Sequence, residues 1–185
     1  MKISKSILVL ALLLNVVALS FGQGTVKIGL NYPETGPYSI QGADQLRAAE
    51  MAIDEINSSG GILGKKIVLV KKNSQSKADV TRANVNSLID MDGVEMVFGG
   101  SSSGVAIAAA EICEAKDKLF FGTLTYSNAT TGSKGHRHTF RECYNAWMGA
   151  KVIAEYLNTN FAGKKYFYIT ADYTWGWSTE ESVRN

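Results

Sequence analysis

The stretch Val94-Glu95-Met96-Val97-Phe98-Gly99-Gly100-Ser101-Ser102-Ser103-Gly104-Val105-Ala106-Ile107-Ala108-Ala109-Ala110 decides the fold of this chain. Its first five residues are mostly apolar, β-branched or aromatic, the pattern of a short buried strand, and its alanine-rich end reads as a helix. The glycines and serines between them make a strand-to-helix turn. Such a turn presents hydroxyls and free backbone N–H groups at the positive end of a helix, where an anion is held without lysine or arginine. There is no Gly-x-Gly-x-x-Gly, and Val105 stands where a phosphate-binding loop needs lysine. Three serines suit a small carboxylate better than a polyphosphate. The plain alternative is a βα connection whose serine caps the helix and binds nothing.

Working outward, the same alternation repeats. Val26, Ile28 and Leu30 fall at period two, giving a strand over 25–30. The segment Asn31–Gly42 holds both prolines and reads as a loop, followed by a helix over 43–57 with Leu46, Ala49, Ile53 and Ile56 on one face. Ser58-Ser59-Gly60-Gly61 ends that helix. A strand over 66–71, a helix over 78–90, the strand over 94–98, a helix to Ala115 and a strand over 119–124 continue the series. Beyond a polar loop come a short strand at 139–141, a helix over 144–158, a strand over 165–170 and a further helix from Ser178.

Short apolar strands alternating with helices predict an α/β fold, a doubly wound parallel sheet. In such sheets ligands bind beyond the carboxyl ends of the strands. That rule selects four loops: Asn31–Gly42, Gly99–Gly104, Thr123–Gly132 and Ala171–Trp177. These are also where the chain places its polar and aromatic side chains.

The ends and the charge bound the class. Lys2 and Lys5 precede an apolar run from Ile7 to Leu19, with small residues before Gln23, so residues 1–22 read as a signal peptide. The apolar run is too short to span a membrane comfortably. The two lysines account for the whole excess of 19 basic over 17 acidic residues. A mature chain near neutrality gives no basis for nucleic-acid or anionic-membrane binding. Export permits a disulfide between Cys113 and Cys143, and two buried free thiols are the alternative. His136 and His138 flank Arg137 without a third metal ligand nearby and read as a solvated loop. There is no Gly-x-Ser-x-Gly elbow and no nucleophile–base pair, so the reading is a binding protein that is not an enzyme, with no metal and no cofactor.

Thr35-Gly36-Pro37 with Gly42, the helix end Ala52-Ile53-Asp54-Glu55-Ile56-Asn57, and Gly60-Gly61-Ile62-Leu63-Gly64-Lys65-Lys66-Ile67 resemble the type I periplasmic binding proteins, in particular the leucine/isoleucine/valine-binding branch of ABC importers. The resemblance covers essentially all of the mature chain. It implies an extracytoplasmic, monomeric receptor of two similar α/β lobes, closing on an amino acid or small amide and presenting it to an ABC permease in the membrane. Residues 23–143 then form the first lobe, and 144–185 the crossover and beginning of the second. It further implies that Ser101 and Ser102 hold a ligand carboxylate, that Tyr126 and Ser127 supply backbone groups and a hydroxyl, and that Trp175 covers the ligand where the family usually has tyrosine. Tyr38 would line the pocket mouth. Family members carry further second-lobe residues later in their sequences, so the chain reads as a fragment. A ligand-sensing ectodomain of a signalling receptor, which uses the same fold, is the alternative.

Overall fold

Residues 24–185 are described by a computed structural model. The expected signal peptide, residues 1–22, lies outside the described residues. Five strands form one all-parallel sheet: β1 (Thr25–Tyr32), β2 (Lys66–Asn73), β3 (Met96–Gly99), β4 (Leu119–Gly122) and β5 (Thr139–Arg141), in the order β2-β1-β3-β4-β5. Helices connect them on both faces: α1 (Ser39–Ser58), α2 (Ala78–Asp90) and α3 (Ser103–Ala115). A one-turn 3-10 helix, Asn128–Thr130, lies between β4 and β5, and α4 (Ala146–Phe161) and α5 (Thr174–Arg184) follow. The chain is an α/β, doubly wound parallel sheet, as the alternation implied.

The side chains of each strand divide between two faces with a period of two. On one face α2 and α3 close over Val97 and Phe120, with Val85, Leu88, Val94, Ala106, Ala109, Ala110 and Cys113 completing a fully buried core. Fully burying side chains of this size contributes about 1.5–3 kcal/mol each for the larger ones, an upper bound because the unfolded chain is already partly collapsed. On the opposite face α1 lies over β1 and β2 and leaves an apolar cavity of about 630 Å³, walled by residues that include Ile28, Ile53, Ile67 and Phe98. Beyond α1 the same face carries a cross-strand stack, Phe98 on Phe121 at 4.9 Å and Phe121 on Phe140 at 5.3 Å between ring centroids.

Element ends shift by a few residues throughout, and three differences from expectation bear on the site. Helix α1 starts at Ser39 and takes in Gly42, which the turn-rich sequence had placed in the loop. A Cβ at Gly42 would lie 2.0 Å from the Pro33 carbonyl oxygen, so glycine here permits a close crossing between helix and loop. The strand expected over 165–170 is absent, although the backbone there is not helical. A parallel strand needs a neighbour to complete its hydrogen bonds, and no second strand lies beside this segment among the described residues; Phe167 and Ile169 stand exposed. Finally, α5 begins at Thr174, so Trp175 sits in the first turn of a helix.

A candidate small-anion site at the start of helix α3

The central strand β3 ends in Gly99, and the chain turns through Gly100 to bring the three serines to the sheet's carboxyl edge. Gly100 has φ of 91°, and a Cβ there would meet the Ala106 Cβ at 2.8 Å. Only glycine makes this turn against α3 without displacing it. Ser102 is the residue preceding the helix, with an extended backbone, and its hydroxyl makes no capping bond. The helical ladder begins with the Ala106 N–H donating to the Ser102 carbonyl at 2.9 Å. The N–H groups of Ser103, Gly104 and Val105 therefore have no partner within the helix. No acidic residue occupies its first turn, so the positive end of the helix dipole is unopposed there.

The three serines have different jobs. Ser103 is buried, and its Oγ accepts the Ser127 N–H at 3.0 Å and the Thr125 hydroxyl at 3.5 Å. It fastens the loop after β4 to the start of α3. Ser101 is half-buried and its Oγ accepts Nε2–H of Gln45, from α1, at 2.5 Å. Ser102 is half-buried. The hydroxyl protons of Ser101 and Ser102 and the open N–H groups form a small, uncharged donor set suited to a carboxylate.

Tyr126 and Ser127 stand beside this donor set, joined to it through Ser103. The Tyr126 ring stacks on Tyr144 at 4.6 Å, and burial pushes its phenol pKa up, keeping it neutral. Ser127 is fully buried; its Oγ accepts the Ala129 N–H at 3.2 Å, and its carbonyl accepts from Arg141 Nη1 at 2.7 Å. Its hydroxyl oxygen thus caps its own 3-10 turn. Partial burial lowers the pKa of the Arg141 guanidinium.

The later segment reaches this edge by two routes. The Asn128 N–H and Nδ2 donate to Ser178 Oγ and Ser182 Oγ of α5, each at 2.9 Å. Tyr38, just before α1, donates its hydroxyl to that of Tyr173 at 3.0 Å. Tyr173 packs on Trp175 with ring centroids 6.0 Å apart. Burial, reinforced by the Tyr38 bond, raises the Tyr173 phenol pKa. The aromatic that meets Tyr38 is therefore Tyr173, with Trp175 behind it.

The disulfide is not formed: Cys113 and Cys143 are both free. Cys113 is sealed in the α2–α3 core, while Cys143 accepts the Thr125 N–H at 3.3 Å and donates to the Thr125 carbonyl at 3.4 Å. The histidine loop is not simply solvated either. His138 places Nδ1 2.8 Å from Glu114 and Nε2 3.1 Å from Asp117, tying β5 to the end of α3. Sequence reasoning missed Ser103 as the fastening residue, because three adjacent serines are indistinguishable until burial separates them. It also missed Gln45, which the helical period alone places only near an apolar face. Among the described residues no helix is long and apolar enough to cross a membrane.

Residues 25–185 match the family model described as Periplasmic binding protein. The chain belongs to the periplasmic binding protein family. It is 33% identical over 159 residues to Leu/Ile/Val-binding protein homolog 7 of Brucella abortus, an alignment covering 82% of this chain and 38% of that protein. A leucine-, isoleucine-, valine-, threonine- and alanine-binding protein from Brucella ovis, solved in a closed conformation, superposes with a TM-score of 0.77 and is 27% identical, over 86% of this chain and 43% of that one. The branched-chain amino acid transporter substrate binding protein LivJ of Streptococcus pneumoniae, solved with isoleucine, gives a TM-score of 0.75 at 25% identity, over 86% and 46%. The chain thus spans less than half the length of these periplasmic binding proteins.

Proposed function

We propose that this chain is the ligand-capturing part of an extracytoplasmic solute-binding protein of an ABC importer, taking a small amino acid or similar carboxylate or amide. The observation that carries the reading is the donor set at the start of α3: open N–H groups of Ser103, Gly104 and Val105 beside the hydroxyls of Ser101 and Ser102, with no acidic residue opposing an anion. A carboxylate held there gains charge-assisted hydrogen bonds in a partly desolvated site. Tyr126 and Ser127 border it through backbone groups, and Tyr38 with Tyr173 and Trp175 forms its aromatic cover. The relatives that bind leucine, isoleucine and valine support a branched aliphatic amino acid as the first candidate.

Residues 23–143 act as the first lobe, and 144–185 as the crossover and beginning of a second. Ligand contacts made from both lobes exist together only when the lobes are closed, so binding shifts the open–closed equilibrium. The closed form is what a membrane permease recognises. The family consists of solute-binding proteins, and no step of this mechanism requires covalent chemistry. Calorimetry on the full-length protein tests it: leucine, isoleucine or valine binds with one site, Ser102→Ala weakens binding with the melting temperature retained, and Ser101→Ala weakens binding and also lowers the melting temperature, because it leaves the buried Gln45 Nε2 without its acceptor. Absence of binding to any amino acid or small amide overturns the reading.

A further inference from the structure

Asn73, the last residue of the outer strand β2, makes more bonds than its own turn requires. Its Oδ1 accepts the Gln75 N–H at 2.9 Å, the bond by which an asparagine closes its own turn. The same oxygen accepts the Thr35 N–H at 3.3 Å, and Nδ2 donates to Thr35 Oγ1 at 2.9 Å. Thr35 lies 38 residues earlier, in the connection from β1 to α1, so one carboxamide clasps two loops at the carboxyl edge of the sheet. Its partners fix its orientation: two backbone N–H groups can only donate, so the atom facing them is the oxygen.

Both sides of the clasp are held. Asn84 of α2 donates through Nδ2 to the Asn73 carbonyl at 2.8 Å and to Asn31 Oδ1 at 3.0 Å, and Asn31 Nδ2 donates to Thr81 Oγ1 at 3.1 Å. Asn31 and Thr81 are fully buried, so these bonds pin the end of β2 to β1 and α2 away from competing water. Gln75 and Ser76 have φ of 51° and 58°, a costly backbone for residues with side chains. Their N–H groups and that of Lys77 are taken by Asn73 Oδ1, Ser74 Oγ and the Ser74 carbonyl. The turn so held packs against Gly36, where a Cβ would lie 2.8 Å from the Gln75 carbonyl oxygen and 2.9 Å from Ser76 Oγ. From there the chain has little freedom, since Pro37 fixes its own φ and the Ser39 N–H donates to the Gly36 carbonyl at 3.2 Å. Tyr38 lies inside this closed turn, and its hydroxyl meets that of Tyr173.

We propose that Asn73 is a positioning residue: through Thr35 and the Gln75–Ser76 turn it places the Tyr38 hydroxyl on Tyr173, and so sets the aromatic cover from the outer edge of the sheet. It touches no ligand itself. This role rests on the aromatic cover proposed above, and the first arm of its test needs no ligand. Full-length protein carrying carbon-13 at tyrosine Cζ is compared with Tyr38→Phe, Asn73→Ala and Asn73→Asp. The Tyr173 Cζ signal reports whether its oxygen holds the Tyr38 bond. Asn73→Ala is expected to move that signal in the direction set by Tyr38→Phe. Asn73→Asp keeps acceptor oxygens for both N–H groups and for the Thr35 hydroxyl, so it is expected to leave the signal in place. Thr35→Val, which removes one of the three bonds, is expected to give a smaller shift the same way, and it takes the place of Asn73→Ala if that variant does not fold. In calorimetry, Asn73→Ala is expected to weaken leucine binding by no more than the roughly threefold to tenfold of Tyr38→Phe, and to add nothing in that background. An asparagine that only stabilises the fold gives equal losses in both backgrounds. A Tyr173 signal unmoved by Tyr38→Phe or by Asn73→Ala, an Asn73→Asp shift equal to that of Asn73→Ala, or equal affinity losses with and without the Tyr38 hydroxyl overturns the role of Asn73. If the parent protein binds neither leucine nor any other amino acid, it is the proposed function that fails, and the Cζ signals still decide the role of Asn73.

Discussion

The hydroxyl of Tyr38 donates to the hydroxyl of Tyr173, 135 residues later, at 3.0 Å. One phenol stands at the entrance to α1 and the other at the entrance to α5, so this single bond ties the first βα connection to the last helix. Both rings flank the carboxyl edge of the sheet, where the serine turn lies.

Replacing Tyr38 by Phe removes the donor and keeps the ring. The bond is between neutral, partly buried groups, so its loss is worth about 0.5–1.5 kcal/mol. On the lobe-closure reading, calorimetry is expected to show roughly a threefold to tenfold weaker affinity for leucine. Tyr173→Phe is expected to match it, and the double variant to add nothing further, because both remove one bond.

Ser103 and Ser102 are adjacent and should respond oppositely. Ser103→Ala strips a buried acceptor from the Ser127 N–H and the Thr125 hydroxyl, and unsatisfied buried groups cost about 1–3 kcal/mol. A lower urea midpoint with an unchanged slope is the expected result. Ser102→Ala breaks no capping bond and should leave the urea midpoint close to that of the parent while weakening carboxylate binding.

Burial pushes the Cys113 thiol up to about 12 from an ordinary value of 9.0. The folded state therefore keeps the proton that the unfolded chain loses first. Its contribution is present in full below about pH 9 and lost as pH rises towards about 12. Melting temperatures taken across that window should fall, and less steeply in Cys113→Ala once its lower starting stability is allowed for. Alkylation checks the free thiols: native protein should label at Cys143 before Cys113, with both labelled after unfolding and no reductant required.

The hydrogen bond from His138 holds the Glu114 carboxyl below its ordinary range. A depressed carboxyl stabilises the fold above its unfolded pKa and loses that contribution as pH falls through the folded one. Acidifying from about pH 6 to about pH 3 should lower the melting temperature more in the parent than in Glu114→Gln, a difference readable by circular dichroism.

Much of this molecule was legible because its signals are local. Period two in Val26, Ile28 and Leu30, and helical spacing in Leu46, Ala49, Ile53 and Ile56, report a strand and a helix before any contact is made. Strand–helix alternation then implies parallel crossovers and a ligand edge. Boundaries failed where a tertiary contact set them. Gly42 looks like a turn residue, yet it lies inside α1 because the helix must pass the Pro33 carbonyl. The apolar run over 165–170 has strand composition, yet strand pairing needs a partner that composition does not supply.

By itself, then, the sequence determined the α/β class, the order of the elements and the position of the glycine-serine turn at the carboxyl edge of the sheet, since these follow from side-chain periodicity and from the turn propensities of glycine and serine. Only the tertiary structure separated Ser101, Ser102 and Ser103 into a bonded, a free and a buried hydroxyl, left Cys113 and Cys143 unpaired, and brought Gln45 to Ser101 and Tyr38 to Tyr173. Those outcomes depend on which atoms lie within about 3 Å of each other across distant parts of the chain, a distance that hydrogen bonding demands and that no local pattern encodes.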